Sequence, residues 1–195
     1  MARRSDHTRA ELKDLALEAA RSIVREKGVS ALSTRKLADR IGYTSGTIYQ
    51  VFQNRDDLVE QMNTETLRML YAHCHAHMAE GSVQHRLRAL ADAFVSFAKT
   101  HPREWDAIIN YPFAPEYQAT PAYLSEIQRL LDLLCEAVSE LYGPDQADRR
   151  LRDARLLWNG LYGIFALAIA GRLSQERSLN DAVDDLIDLY LAART

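Results

Sequence analysis

The sequence contains little cysteine, proline or glycine, and it has no long hydrophobic run. Two of its 195 residues are cysteine, Cys74 and Cys135, which is too few for a disulfide framework and indicates a reducing compartment. The longest stretch without a charged side chain covers residues 156–171, which is shorter than the roughly 20 mostly apolar residues of a membrane span. The basic first residues also lack the apolar run of a secretory signal. We therefore expect a cytoplasmic protein without membrane contact.

The motifs of common catalytic and nucleotide-binding sites are also missing. The sequence contains no nucleophile elbow, no P-loop and no dinucleotide fingerprint. Its acidic residues are scattered at the spacing of helix surfaces instead of forming an obvious pair. We therefore predict no catalytic residue, no cofactor and no enzymatic function.

Helical periodicity runs through nearly the whole chain, and no segment shows the sustained alternation of a strand. Apolar residues make up 47% and charged residues 26% of the sequence, which is typical of a globular protein. The pattern predicts an all-α fold of about nine helices. It also predicts a three-helix head at residues 1–55 and a larger helical body at residues 56–195.

Short helices separated by tight turns are predicted in the head. The second helix should cover residues 34–41 and end at Gly42, and the third should cover residues 45–52. Ile48 and Phe52, four residues apart, would anchor the third helix in the core. A residue that can cap a helix N-terminus precedes each of the second, third and fourth helices: Ser33, Thr44 and Asn54.

Charge is distributed unevenly along the chain. Residues 1–55 contain 11 Lys and Arg but 6 Asp and Glu, a formal charge of +5, whereas residues 56–195 carry −8. A basic head on an acidic body indicates that the head alone contacts a polyanion. The alternative is a chance spread of solvated helix faces, and charge by itself does not separate the two.

The second and third helices and the turn at Gly42 together form a helix-turn-helix unit. In such a unit the second helix enters the major groove of DNA and the first crosses the backbone. The stretch "SGTIYQVF", residues 45–52, is uncharged and rich in small polar side chains, so it can approach bases and phosphates closely. Arg35 and Arg55 lie on either side, placed to hold the phosphate backbone.

The stretch "STRKLADRIGYTSGTIYQVFQNRDDLV" resembles the DNA-binding signature of the TetR family of transcriptional regulators. The shared core is L-A-x-x-x-G-x-x-x-G-T-[LI]-Y-x-x-F, followed by N-x-x-x-L. These positions are Leu37, Ala38, Gly42, Gly46, Thr47, Ile48, Tyr49, Phe52, Asn54 and Leu58. The resemblance implies a homodimeric repressor that binds a palindromic operator on double-stranded DNA. It also implies that a small-molecule effector, not identified by the sequence, releases the repressor.

Roles for individual residues of the head follow from the same resemblance. Thr34, Tyr49 and Arg55 would bind phosphates, and Arg35 would reach phosphate or a base edge. Tyr43, at the turn, is assigned to packing. The full set implied to bind DNA is Thr34, Arg35, Thr44, Ser45, Gly46, Thr47, Tyr49, Gln50 and Arg55.

The segment "WNGLYG" resembles a Trp-His-Gly pattern found in one subgroup of TetR C-terminal domains, with Tyr162 at the histidine position. Aromatic and polar residues of the body are candidates for an effector pocket: Trp105, Tyr111, Phe113, Tyr123, Gln128, Trp158, Asn159, Tyr162 and Phe165. The last two helices are implied to form the dimer interface. Its candidate residues are Leu156, Ile164, Ala168, Leu186, Leu189 and Tyr190.

Two alternatives remain open at the level of sequence. His73 and His77 lie four residues apart on one helix face, as metal ligands can, so a metal-responsive regulator is one alternative. It would need a third ligand from a distant residue such as His101, and we predict no metal site. A helical enzyme is the other alternative, and it predicts turnover without DNA binding.

Overall fold

A computed structural model describes residues 7–173 and 178–194 of the chain. Across these residues nine α-helices occur and no strand, which confirms the all-α prediction. The helices are α1 (Arg9–Lys27), α2 (Thr34–Ile41), α3 (Ser45–Ile48), α4 (Arg55–Ala76), α5 (Val83–Thr100), α6 (Pro102–Asn110), α7 (Pro121–Ala137), α8 (Ala147–Ile169) and α9 (Leu179–Ala192). Short 3-10 turns cover Val29–Ala31, Ser139–Leu141 and Pro144–Gln146. Among the described helices, none has both the length and the apolar character needed to cross a membrane.

The chain forms two compact units, which we call unit 1 and unit 2. Unit 1 comprises Met1–Thr66 and His101–Tyr123, and unit 2 comprises Leu67–Thr100 and Leu124–Thr195. Unit 1 therefore contains α1, α2, α3, the start of α4, and α6. The division of the sequence into residues 1–55 and 56–195 stays a prediction about function.

A single apolar core holds unit 1 together. It contains Leu12, Ala16 and Ile23 from α1, spaced so that they share one helix face. Leu37 and Ile48, both without measurable exposure, bring α2 and α3 against that face. Leu15, which the same spacing would place inward, is 37% exposed. The buried face of α1 is therefore turned away from Leu15 and toward Leu17 and Val24, which are both buried.

The packing of unit 2 rests on α5, α8 and α9, because α9 packs against both of the other two helices. The Cδ2 atom of Leu186 on α9 lies 2.8 Å from the position that a Cβ atom on Gly160 of α8 would take. The absence of a side chain at Gly160 thus permits the close approach of α8 and α9. Arg88 on α5 forms ion pairs at 3.1 Å with both Asp184 and Asp188 on α9.

The third helix is shorter than its predicted range of residues 45–52. It ends at Ile48, and Tyr49, Gln50 and Val51 form a turn with hydrogen bonds of the tighter i to i+3 type. Val51 and Phe52, next to each other in sequence, are both buried. Both side chains belong to the core of unit 1.

Candidate nucleic-acid interface

The turn between α2 and α3 depends on one glycine. Gly42 has a φ of 75° in the left-handed region, and its backbone N–H donates to the Ala38 carbonyl. The N–H of Tyr43 donates to the same carbonyl at 2.9 Å. A side chain at position 42 would be strained in this conformation. Gly42 thus ends α2, and α3 can begin after one short turn.

A threonine cap starts α3. The Oγ1 atom of Thr44 accepts from the backbone N–H of Thr47 at 3.3 Å and lies 3.0 Å from the Thr47 hydroxyl. Such a cap satisfies a backbone donor that has no partner within the helix. The predicted caps Ser33 and Asn54 are confirmed in the same way, because the backbone N–H groups of Lys36 and Asp57 donate to them.

The segment formed by α3 and the turn after it, residues 45–52, has one buried side and one exposed polar side. Ile48 and Phe52 are at most 1% exposed. The side chain of Tyr49, between them in sequence, is 56% exposed, and its hydroxyl lies 3.3 Å from Thr34 Oγ1 at the start of α2. We call the predicted DNA-binding residues on this exposed side the reading surface. It comprises Thr34, Arg35, Thr44, Ser45, Gly46, Thr47, Tyr49 and Gln50, all exposed or half-buried.

Gly46 is not required by the packing of its own chain. A Cβ atom built there would meet only Thr44 Oγ1 at 3.8 Å, an ordinary contact, and the backbone is not in the left-handed region. Glycine nonetheless costs conformational entropy in a helix. A low surface that admits another molecule is a physical reason to keep glycine at this position.

Arg55, the ninth residue predicted to bind DNA, lies at the start of α4. Its guanidinium group makes several contacts within unit 1. Its Nε donates to the carbonyl of Leu32 at 3.1 Å, and its Nη2 donates to the carbonyl of Val29 at the same distance. The guanidinium carbon also lies 5.4 Å from the centre of the Tyr111 ring. These contacts, which the sequence did not indicate, tie α4 to the linker between α1 and α2.

Tyr43 packs as predicted from the sequence. Its half-buried ring lies against the core of unit 1, and its hydroxyl is 2.7 Å from Nδ1 of His7.

Four of the predicted pocket residues lie in unit 1. Trp105 and Tyr111 are buried, and Tyr111 meets Phe113 edge-on with ring centres 4.7 Å apart. The Tyr111 hydroxyl donates to Asp56 Oδ1 at 2.5 Å. Burial and this hydrogen bond raise the pKa of Tyr111 to about 12. Tyr123, the fourth, is half-buried.

The other five predicted pocket residues lie in unit 2. Phe94 on α5 packs against two of them, edge-on to Trp158 and stacked on Phe165. Gln128 and Asn159 are exposed, and Gln128 donates to Asp132 on its own helix at 2.8 Å. Tyr162 is 38% exposed. Phe94 thus contacts two of these five residues in the structure. A single effector site built from all nine candidate residues stays a prediction.

The residues predicted for the dimer interface differ in exposure. Leu156 is 67% and Leu189 is 70% exposed, although leucine is among the residue types most often fully buried. Leu167 is also 48% exposed and lies on the same side of α8 as Leu156, since 11 residues are close to three helical turns. We call Leu156, Leu167 and Leu189 the exposed leucines. Ile164, Ala168 and Leu186 are half-buried.

Tyr190, by contrast, is buried within its own chain. Its hydroxyl lies 2.9 Å from that of Tyr142, which donates to Asp153. Arg194 completes the network through an ion pair with Asp153 at 2.8 Å. Tyr190 therefore holds the end of α9 in place. Only 7% of its surface is exposed to solvent.

His73 and His77 face each other, with ring centres 4.3 Å apart. Each ring already has another polar neighbour: His73 Nε2 lies 2.8 Å from the Ser96 hydroxyl, and His77 Nδ1 lies 2.7 Å from the carbonyl of His73. Within residues 7–173 and 178–194, no group of three or more His, Cys, Asp or Glu side chains could hold a metal ion.

Comparison with known families supplies the decisive observation. The model described as "Tetracyclin repressor-like, C-terminal domain" matches residues 87–190, more than half of the chain. The model described as "Bacterial regulatory proteins, tetR family" matches residues 16–62, which include the whole reading surface. The chain belongs to the TetR family of transcriptional regulators. Its helix-turn-helix unit is thus the DNA-binding part of a TetR-type regulator.

Individual relatives of this TetR-family chain are distant. It is 26% identical to the HTH-type transcriptional regulator BetI of Burkholderia thailandensis, over 95% of this chain and 94% of the other. A protein of unknown function from Rhodococcus sp. RHA1 has the same fold, with a TM-score of 0.73, 25% identity and 98% coverage of both chains. The regulator FadR from Bacillus subtilis, solved with stearoyl-CoA, has a TM-score of 0.68 at 13% identity, covering 92% of this chain and 97% of its own.

Proposed function

We propose that this TetR-type regulator is a repressor that binds a palindromic operator on double-stranded DNA as a homodimer. The observation that carries the proposal is the reading surface. It combines exposed hydroxyl, amide and guanidinium groups with a glycine that the fold does not need. Such groups donate to phosphates and base edges, and a low helix surface can enter the major groove.

Within this proposal the two helices divide the work. α3 enters the major groove, where Ser45, Thr47 and Gln50 face bases or the adjacent backbone. α2 crosses the backbone, so that Thr34 binds phosphate together with Tyr49, which directly follows α3. The hydroxyls of Thr34 and Tyr49, 3.3 Å apart, are close enough to grip one phosphate group jointly.

Dimerisation would use α8 and α9. The exposed leucines are apolar surface that a second copy of the chain would remove from water. Two-fold symmetry would then present two reading surfaces to two half-sites roughly 34–36 Å apart, one turn of the DNA helix. We place this activity in the cytoplasm, with residues 1–55 reading DNA and residues 56–195 binding the effector and the second chain.

Release from DNA would follow from effector binding in the body. TetR family regulators bind small molecules, and the relative FadR was solved with a fatty acyl-CoA. The aromatic group of Phe94, Trp158 and Phe165 in unit 2 supports an apolar effector. Such a molecule must bind the DNA-free conformation more tightly than the DNA-bound one, since otherwise it shifts no equilibrium.

Selection of DNA from a random duplex library by the full-length wild-type chain tests the proposal. We expect enrichment of a palindrome, bound by two chains, with an affinity that falls as salt is raised. A wild-type chain that enriches no sequence, or binds all duplexes equally at moderate salt, would refute it. The enzyme alternative makes the opposite prediction, turnover without operator binding.

A further inference from the structure

Tyr111 contacts two consecutive residues of α4 by two different interactions. Its ring lies beneath the Arg55 guanidinium, 5.4 Å from the ring centre to the guanidinium carbon. Its hydroxyl donates to Asp56 Oδ1 at 2.5 Å. An aromatic face attracts a cation, and a carboxylate is a strong acceptor. One buried side chain therefore restrains the direction of both charged groups.

The segment that carries Tyr111, residues 111–120, is fastened along the first part of α4, and we call it the strap. The second oxygen of Asp56 accepts from the Ala114 backbone N–H at 3.1 Å. Glu60, one turn further along α4, accepts from the Thr120 backbone N–H with both carboxylate oxygens at 3.1 Å. Residues 56 and 60 share a helix face. The strap is thus held at both ends by carboxylates of α4.

Arg55 continues these contacts toward the reading surface. Its two donated hydrogen bonds end on the carbonyls of Val29 and Leu32. Leu32 directly precedes Ser33, the residue that caps α2. The start of α2, with Thr34 and Arg35, is therefore fixed partly by a guanidinium whose own position depends on Tyr111.

We propose that Tyr111 is a positioning residue for DNA binding, which acts by holding Arg55 on the linker between α1 and α2. This inference rests on the proposed function, because its main readout is operator affinity. In this arrangement the strap and the start of α2 are coupled through Arg55. A molecule that lifts the strap away from α4 also loosens the start of α2.

Tyr111 also belongs to the core of unit 1, so a general loss of packing must be separated from a loss of positioning. A double-mutant cycle achieves this, because residues that act through one another are not additive. Operator binding of Tyr111→Leu is compared in the wild-type chain and in an Arg55→Met chain. Tyr117→Phe is the control that matches Tyr111→Phe: it removes another strap hydroxyl, which bonds to Glu60.

The probe is a duplex enriched by the wild-type chain, followed by fluorescence anisotropy at fixed salt. We expect Tyr111→Leu to weaken binding about fivefold in the wild-type chain and less than about twofold in the Arg55→Met chain. Tyr111→Phe, which keeps the ring and loses the hydroxyl, should weaken binding about two- to threefold. An equal loss from Tyr111→Leu in both backgrounds overturns the inference, as does a folded Tyr111→Leu chain with wild-type affinity.

Hydrogen exchange of the full chain without DNA supplies a second readout, which does not depend on the proposed function. In Tyr111→Leu, amides of residues 29–33 should exchange faster than in wild type, and in Tyr117→Phe they should not. Equal exchange in all three chains overturns the inference. A wild-type chain that selects no DNA would refute the proposed function alone, and the exchange measurement would still decide whether Tyr111 positions the linker.

Discussion

The reading surface and the exposed leucines are both surfaces that the fold of a single chain does not explain, and they differ in chemistry. The reading surface consists of hydroxyl, amide and guanidinium groups around one glycine that the fold does not need. The exposed leucines present apolar area, up to 70% of a side chain at Leu189. Polar contacts with DNA replace contacts with water and ions, so they weaken as salt is raised. The burial of apolar surface does not depend on charge. One surface suits a partner that must be released, and the other suits a permanent one.

The strongest way to break this comparison is to place a charge among the exposed leucines. Leu189→Glu should dissociate the homodimer, because symmetry buries the new carboxylate twice and each lost leucine contact is worth about 1.5–3 kcal/mol. We expect dimerisation to weaken at least about 100-fold, measured by sedimentation equilibrium. Leu124→Glu on α7, where the leucine is 52% exposed, is the matched control. A monomeric wild-type chain at micromolar concentration would contradict the dimer itself.

Thr47→Ala tests the polar side of the comparison. Thr47 donates its backbone N–H to the Thr44 cap, and alanine keeps this bond, so the fold should lose little stability. Operator affinity should fall about tenfold, because a hydroxyl contact is lost in each of two heads and each is worth about 0.5–1.5 kcal/mol. Gel-shift titration measures the affinity and thermal unfolding the stability.

Thr100→Ala, an exposed threonine on α5, is the control for that experiment. If Thr47→Ala and Thr100→Ala bind DNA equally well while both remain folded, α3 does not read the operator through Thr47.

Gly46→Ala should change stability and affinity in opposite directions. The structure has room for a Cβ atom at Gly46, and alanine should stabilise the folded chain by up to about 0.5–1 kcal/mol. The methyl group raises the surface that enters the groove, so we expect operator affinity to fall about fivefold. Chemical denaturation and anisotropy measure the two effects. Unchanged affinity would show that the glycine is not kept for DNA.

Arg55→Lys separates the geometry of this side chain from its charge. Lysine keeps the charge but cannot donate to the carbonyls of Val29 and Leu32 with a planar fork. Affinity should fall about threefold at every salt concentration, with an unchanged slope of log affinity against log salt. Arg55→Ala should also flatten that slope by about one for each head. An equal slope for the lysine and alanine variants would mean that Arg55 touches no phosphate.

The smallest effect concerns acid stability in the head. Arg40 on α2 forms a two-pronged ion pair with Glu26 on α1, both bonds at 2.9 Å. This pair, together with a hydrogen bond donated by the Ser22 hydroxyl, lowers the pKa of Glu26 from 4.5 to about 2. The stabilisation is therefore present above pH 4.5 and disappears as pH falls toward 2. In Arg40→Gln the pKa should rise toward its ordinary value but stay below it, because the Ser22 hydrogen bond remains; NMR titration of the Glu26 carboxyl group measures this. A Glu26 pKa that stays low would contradict the assigned cause.

Local signals in the sequence predicted the head well. The caps at Ser33, Thr44 and Asn54 and the turn at Gly42 are short-range features, because each depends on hydrogen bonds within a few residues. The buried positions of Ile48 and Phe52 follow from helical spacing. The early end of α3 at Ile48 was missed, because helical spacing of apolar residues does not distinguish a regular helix from the i to i+3 bonds that residues 50 and 51 make.

Long-range contacts could not be predicted from the sequence in the same way. Tyr111 was a candidate for an effector pocket because it is one of several aromatic residues in the body. Its hydrogen bond to Asp56 spans 55 residues, and no periodicity reports such a pairing. Arg55 likewise carries a charge that suits a phosphate, but only the fold brings the carbonyls of Val29 and Leu32 within its reach. The DNA-contacting, pocket and interface residues stay predictions for the experiments above.

In residues 45–52, the side chains that hold the segment in the core differ from those that face outward, and this separation has an evolutionary consequence. Ile48 and Phe52 hold the segment, while Thr47 and Gln50 form part of its outer side. Substitutions at the outer positions can therefore accumulate at little cost in folding, and a duplicated gene could acquire a new set of target promoters within a few mutations. The same freedom makes residues 45, 47 and 50 the natural positions to randomise in a library that seeks altered operator preference.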